Sequence, residues 1–335
     1  MKDRAMVTID FLVGFTIFIS AFIIVVAMVP HPLFAVQSAR IDYDAVAYRT
    51  GVILVEDPGM PTSPDFPVWE QQIDPGEVIR MGLAVERGSP HILSPAKVDR
   101  FFDRDFFTYP DDYQRSLIFG DYPYSFNVTL SHKGTQRSVG PPPPEQFGVV
   151  RRVVVVKETS SLIRDGADSA HNEFHLPENL TGDQRLMIEI PCPTLIDRSV
   201  EPLFRIDPRT DPLQIEVRNI REYLNVPVNE TVVLHEILIA RQGITIPFAA
   251  YTLEIDEDEV VSLDDTLQTS RMVPGNLTFT LHPVPNPPWR QADTIAITFI
   301  FSDNPDGADH QVITYDYGTV FIPPAEPGIL EVAVW

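Results

Sequence analysis

Four of the asparagines in this chain, Asn127, Asn179, Asn229 and Asn276, each open an N-x-Ser/Thr triplet. That pattern accepts N-linked glycans on an exported chain, and chance predicts about one at this composition, so glycosylation is expected. Two acidic stretches, Asp256-Glu257-Asp258-Glu259 with Asp264-Asp265, and the turn between Asp303 and Asp309, carry oxygens of the kind calcium takes. Neither has EF-hand spacing, and solvated acidic loops are the expectation. His171 and His175 stand four apart, but the intervening residues are not those of a His-Glu-x-x-His site, and Pro177 argues against the helix such a site needs. The single cysteine, Cys192, lies in Ile190-Pro191-Cys192-Pro193 and has no internal partner. It reads as a small buried apolar residue, with interchain pairing or metal binding as the other uses of such a thiol. No G-x-S-x-G elbow, P-loop, Gly-rich dinucleotide turn or reactive-cysteine motif is present. Glycine is scarce (17) and proline abundant (32), which suits a rigid module rather than an enzyme with a mobile loop. No catalytic residue, cofactor or metal ion is expected.

The N-terminus carries the other chemistry. Residues 11–29 are free of charge. At 1.5 Å per residue they span roughly 28 Å, close to the hydrocarbon thickness of a bilayer. Pro30 and Pro32 interrupt the run, and Lys2 and Arg4 precede it, which favours a cytoplasmic N-terminus and an exported body. A cleaved secretory signal peptide is the plainer alternative. Asp10 sits at the edge of the run, where a carboxylate is costly unless paired. Arg4-Ala5-Met6-Val7, a basic and a small residue before two apolar ones, resembles the cleavage site of archaeal type IV prepilins. The resemblance covers about the first 55 residues. It implies that a prepilin peptidase cuts after Ala5, that Met6 becomes the N-terminus, and that Asp10 becomes the fifth residue. There the family carries an acidic side chain, usually Glu, that pairs with the amine of a neighbouring subunit. Alternatively, Asp10 caps the helix near its N-terminus.

The elements that must position these residues follow from periodicity. Phe34, Ile41, Ala45, Tyr48, Val52 and Val55 share one helical face, and Asp57-Pro58-Gly59 ends it. Ser94-Pro95 opens a short helix, residues 111–119 another, and residues 124–131 and 149–156 read as strands around the exposed Gly140-Pro141-Pro142-Pro143-Pro144 loop. The aromatic cluster Phe101, Phe102, Phe106, Phe107, Tyr109 and Tyr113 is expected to be core. From residue 184 onward, strand-like runs recur at 185–190, 213–220, 231–240, 248–255, 277–281, 294–301, 312–322 and 330–335. That is the pattern of a β-sandwich, immunoglobulin-like in architecture only.

The expected fold is therefore an N-terminal long transmembrane or stalk α-helix, a small α+β head and a C-terminal all-β sandwich. The domains are a leader (1–5), the helix (6–56), the head (60–168) and the sandwich (184–335). With 335 residues, 44% hydrophobic, the chain is long enough for about two domains beside the helix. A net charge of -22 excludes nucleic acid and anionic lipid as natural partners of the outer portion. The resemblance implies a pilin-like cell-surface glycoprotein, single-pass with its body outside, displaying domains for adhesion or assembly. Its partners would be the bilayer, the prepilin peptidase, and copies of itself or other pilins. The alternative is a membrane-anchored binding protein that never polymerises, and a third possibility is a secreted hydrolase.

Overall fold

The computed structural model describes residues 2–28, 42–63, 66–117, 124–167, 185–224, 232–246, 250–256, 259–263, 271–284, 287–301 and 310–335. Strand outweighs helix, 36% to 22%, and the architecture is set by sheets.

Helix α1 (Lys2–Met28) comes first. The side chains described in it, residues 11 to 24, are all exposed. Among the described residues no helix is long and apolar enough to cross a membrane. This corrects the expected transmembrane stalk, the single-pass location with a cytoplasmic N-terminus, and the pilin-like architecture that depends on them.

Helix α2 (Tyr43–Glu56) begins where the Asp42 carboxylate accepts the Ala45 N–H at 3.1 Å. It stops at Asp57-Pro58-Gly59, where Gly59 takes φ +74°. Val46, Ala47, Leu54 and Val55 form its buried face. The helix lies against a five-stranded sheet built from β1 (Ile92–Leu93), β2 (Phe126–His132), β3 (Thr135–Val139), β4 (Gly148–Val156) and one strand from the far end of the chain. Gly51 permits this approach, since a Cβ there would stand 2.7 Å from Val150 Cγ1. Helices α3 (Pro95–Phe101) and α4 (Asp111–Ser116) pack into the same core, while the sheet's opposite face is exposed at Val153 and Ile329. Phe101, Phe107 and Tyr113 are buried among Trp69 and Phe126, with the Phe101 and Tyr113 rings edge-on at 5.3 Å. The aromatic run is core.

The second body is a sandwich of two sheets. β5 (Ser161–Asp165), β6 (Arg185–Pro191), β7 (Leu213–Arg218), β8 (Glu236–Arg241), β9 (Ile244–Thr245), β10 (Tyr251–Ile255), β11 (Glu259–Leu263), β12 (Leu277–Leu281), β13 (Thr294–Ile300), β14 (His310–Thr314) and β15 (Val320–Phe321) follow in chain order. One sheet runs β9-β8-β13-β6-β14, the other β11-β10-β12-β7-β5-β15. Alternate side chains point inward, as a half-buried sheet requires. Leu186, Ile188 and Ile190 of β6 and Ile295, Ile297 and Phe299 of β13 meet Leu213, Ile215 and Val217 of β7 and Leu277, Phe279 and Leu281 of β12. The rings of Phe279 and Phe299 touch edge-on across the two sheets at 5.4 Å.

The last strand, β16 (Pro327–Val334), leaves the sandwich. It pairs antiparallel with β2 and β4 and lies in the middle of the first sheet, in the order β1-β4-β16-β2-β3. Conversely β5, expected at the end of the head, pairs with β7 in the sandwich. The boundaries 60–168 and 184–335 are redrawn accordingly: the chain crosses between bodies after β4 and returns before β16.

Candidate functional site

The crossing after β4 is held by charge. Lys157 Nζ donates to Asp211 Oδ2 at 2.7 Å and to the Arg205 carbonyl, and the pair's side chains are only 6% and 11% exposed. Asp211 also accepts the Asp207 N–H at 2.7 Å. Arg205 reaches back to Glu86 of the first body at 2.8 Å. Gln71 Nε2 donates to the Arg209 carbonyl at 2.9 Å. Buried ion pairs carry a large desolvation cost and tolerate little displacement of their partners. The two bodies are therefore fixed along this seam.

Beside the seam lies a cleft of about 560 Å³, with walls from both bodies. The first body supplies Phe66, Val68 and Gln71, on the segment entering the 3₁₀ turn Trp69–Gln71. The second supplies Arg209 and, from the loop between β12 and β13, Pro287 and residues 289 to 292. Asp293 holds that loop in shape. Its carboxylate accepts from Arg290 N at 2.8 Å and from Gln242 Nε2 at 3.1 Å. Arg209 is ion-paired: its guanidinium grips Asp207 through Nε at 2.9 Å and Nη2 at 2.6 Å, and stacks over Phe66 at 4.4 Å.

Two polar atoms of residues lining the cleft have no partner among the described residues, and both are shut off from its open space. Trp289 is 2% exposed, and its indole Nε1 is buried without an acceptor; Gln71 Oε1 is buried without a donor. Leaving such a group unmatched costs about 1–3 kcal/mol. Arg290 is exposed, and its guanidinium makes no ion pair among the described residues. Among the described residues no carboxylate, imidazole, thiol or hydroxyl lines the cleft. The walls can bind, but they present no nucleophile or general base at neutral pH.

Next to Gln71, Glu70 is buried with both carboxylate oxygens unpartnered among the described residues. Burial raises its pKa, against the pull of the Lys97 ammonium. Lys97 donates to the Ala84 carbonyl at 3.1 Å, and burial lowers its pKa, against the carboxylates of Glu70, Asp211 and Asp57.

The sequence-predicted residues do not meet at this cleft. Arg4, Ala5, Met6 and Asp10 fall within the backbone of α1. Asn127 is buried, and its Nδ2 donates to Ser138 Oγ at 3.1 Å and to the Gly140 and Pro141 carbonyls at 3.0 Å each. It is a strut for the proline loop. Asn276 is half-buried and accepts the Asn219 N–H at 3.1 Å through its oxygen. Asn179 and Asn229, the His171–His175 pair and the Asp303–Asp309 turn lie outside the described residues. Asp256 caps a turn, accepting Asn276 N at 2.6 Å, and among the described residues no group of three ligating side chains could hold a metal. Burial pushes the Cys192 thiol up to about 12. The cleft residues carried no recognisable motif; the one local signal was the Pro287-Pro288-Trp289-Arg290 run, an aromatic and a cation in a stiff loop.

Compared with known proteins, the chain matches no family model, no curated protein and no solved structure.

Proposed function

We propose that this chain is a non-catalytic binding protein whose ligand site is the cleft between its two β-rich bodies. One observation carries the reading: walls from both bodies, Phe66 and Val68 of the first and Arg209 and Arg290 of the second, meet around about 560 Å³ of space. A mostly apolar concavity with a few convergent polar atoms is the usual form of a small-molecule site. The clamped seam pre-organises it, which limits the ordering cost of binding.

The indole resonances give the test. Trp69 Nε1 donates to the Gly82 carbonyl at 2.8 Å in the first core, so its signal serves as an internal reference. Fragment screening of the full chain by two-dimensional NMR is expected to yield ring-shaped binders that shift the Trp289 signal and leave Trp69 in place. Binders that consistently shift other residues and leave Trp289 unmoved would remove the reading.

Helix α1 favours a second reading, in which copies associate through it to display the two bodies. Phe11 and Phe15 stack at 6.1 Å and Phe18 and Phe22 at 6.4 Å on a helix whose described side chains are all exposed. Apolar surface of this kind marks an interaction site. With Cys192 buried, a cysteine placed at Phe15 is the one reactive thiol. Oxidation is expected to give disulfide-linked dimers at micromolar chain concentration; an unchanged monomer would end this reading.

A further inference from the structure

We propose that Pro141–Pro144, the run between β3 and β4, is a docking ridge for a partner protein whose groove is lined by aromatic side chains and carries a cation at one end. No residue of the run lines the cleft, so the ridge stands on its own observations. Its shape follows from covalent chemistry. All four peptide bonds into these prolines are trans. Each ring holds φ at about −65°, and each following proline pushes its predecessor to an extended ψ. Pro141, Pro142 and Pro143 obey both restrictions, and together they make one turn of left-handed polyproline helix. The four residues form a rod about 12 Å long.

Both ends of the segment are fixed. At the start Gly140 takes φ +98°, and a Cβ there would stand 2.2 Å from the Phe126 carbonyl oxygen, a turn that needs glycine. Asn127 Nδ2 donates to the Gly140 and Pro141 carbonyls at 3.0 Å each, which ties the first proline to β2. At the far end Gly148 opens β4 against Tyr43, whose carbonyl carbon a Cβ would meet at 2.2 Å. In the order β1-β4-β16-β2-β3 the strands joined by the loop are three spacings apart, about 14 Å. Between these anchors Pro141 to Gln146 are all exposed. A segment ordered in advance loses little entropy when a partner arrives.

The surface it offers sets the chemistry of that partner. Prolines carry no N–H, and no donor among the described residues reaches the carbonyls of Pro142, Pro143 or Pro144. The ridge is therefore ring faces and acceptors alone. Aromatic side chains supply flat surfaces for the rings, and indole N–H and phenol O–H groups supply donors for the carbonyls. Glu145 follows directly, exposed and without an ion pair among the described residues, and complements a cation on the partner's rim.

Isolated WW, SH3 and EVH1 domains have grooves of this kind, and examples with a lysine or arginine at the groove's end serve as probes. Each domain, isotope-labelled, is titrated with the full chain while the signals of its groove aromatics are followed. At least one is expected to bind, with those signals shifting. Pro142→Ala/Pro143→Ala should weaken that binding about tenfold or more, because it removes two rings and loosens the extended backbone. Both prolines are exposed, so the variant is expected to melt as the native chain does. Glu145→Lys should weaken binding at low salt and less at high salt; an unchanged affinity would remove the cation from the partner's description. Unmoved groove signals in all three domains, or shifts that survive the double proline variant, would overturn the proposal and leave the run a strut between β3 and β4.

Discussion

Lys157 is the residue on which the geometry of the cleft depends most. In Lys157→Met, Asp211 keeps only the Asp207 N–H, at 2.7 Å, while remaining 11% exposed. Removing one partner of a buried ion pair costs about 3–5 kcal/mol, because the other charge is left uncompensated. Two features place this case at the lower end, about 3 kcal/mol. Asp211 retains that hydrogen bond, and a space of about 10 Å³ beside the pair is close to what one water needs. Urea unfolding followed by tryptophan fluorescence measures the loss. The double variant Lys157→Met/Asp211→Leu should recover most of it, since a buried pair replaced by apolar residues is often neutral. In the single variant the Trp289 indole signal should also shift or broaden, because Arg209 sits two residues from Asp211 and its carbonyl holds Gln71. A loss below about 1 kcal/mol would refute the reasoning, and so would a double variant as unstable as the single one.

Other expectations follow from the same contacts. Burial raises the Glu70 pKa above 4.5, so its contribution to stability is complete below that pH and is lost as pH rises through the folded value. Stability of Glu70→Gln relative to the native chain should therefore grow between pH 5 and pH 8 in chemical denaturation; parallel curves would contradict this. Gly51→Ala places a Cβ 2.7 Å from Val150 Cγ1 and should cost about 1–3 kcal/mol by overpacking, read as a lower urea midpoint. In a glycosylating host, peptide mapping should find Asn127 unmodified, because its amide nitrogen is already committed to three acceptors. Cys192 should resist alkylation at pH 8 in the native chain and react once urea unfolds it, as a buried thiol with a pKa of about 12 requires.

The strands of the sandwich were legible because one-sided burial writes itself as alternation. Leu186-Ile188-Ile190 and Leu213-Ile215-Val217 are inward rows recognisable without a structure. Alternation reports which face is covered and not by what. Residues 330–335 were therefore correctly strand-like but assigned to the wrong body, for β16 completes the sheet under α2. β3, with the polar sequence Thr-Gln-Arg-Ser-Val at a sheet edge, carries no apolar row and was missed. β11 begins inside the acidic run that was read as a loop. The N-terminal apolar run was legible as a helix, and α1 is one; its length within a bilayer was not established by composition alone. The cleft was not legible at all. Its walls come from Phe66, Val68, Gln71, Arg209, Pro287 and residues 289–292, and only the crossing of the chain between the two bodies brings them together.

The central claim is that the cleft beside the Lys157–Asp211 seam binds a ligand, and a crystal structure of the full chain soaked with a ring-shaped fragment that shifts the Trp289 indole signal tests it most directly. The account predicts the fragment inside the cleft, against Phe66 and Val68. The fragment found only elsewhere on the surface would contradict it.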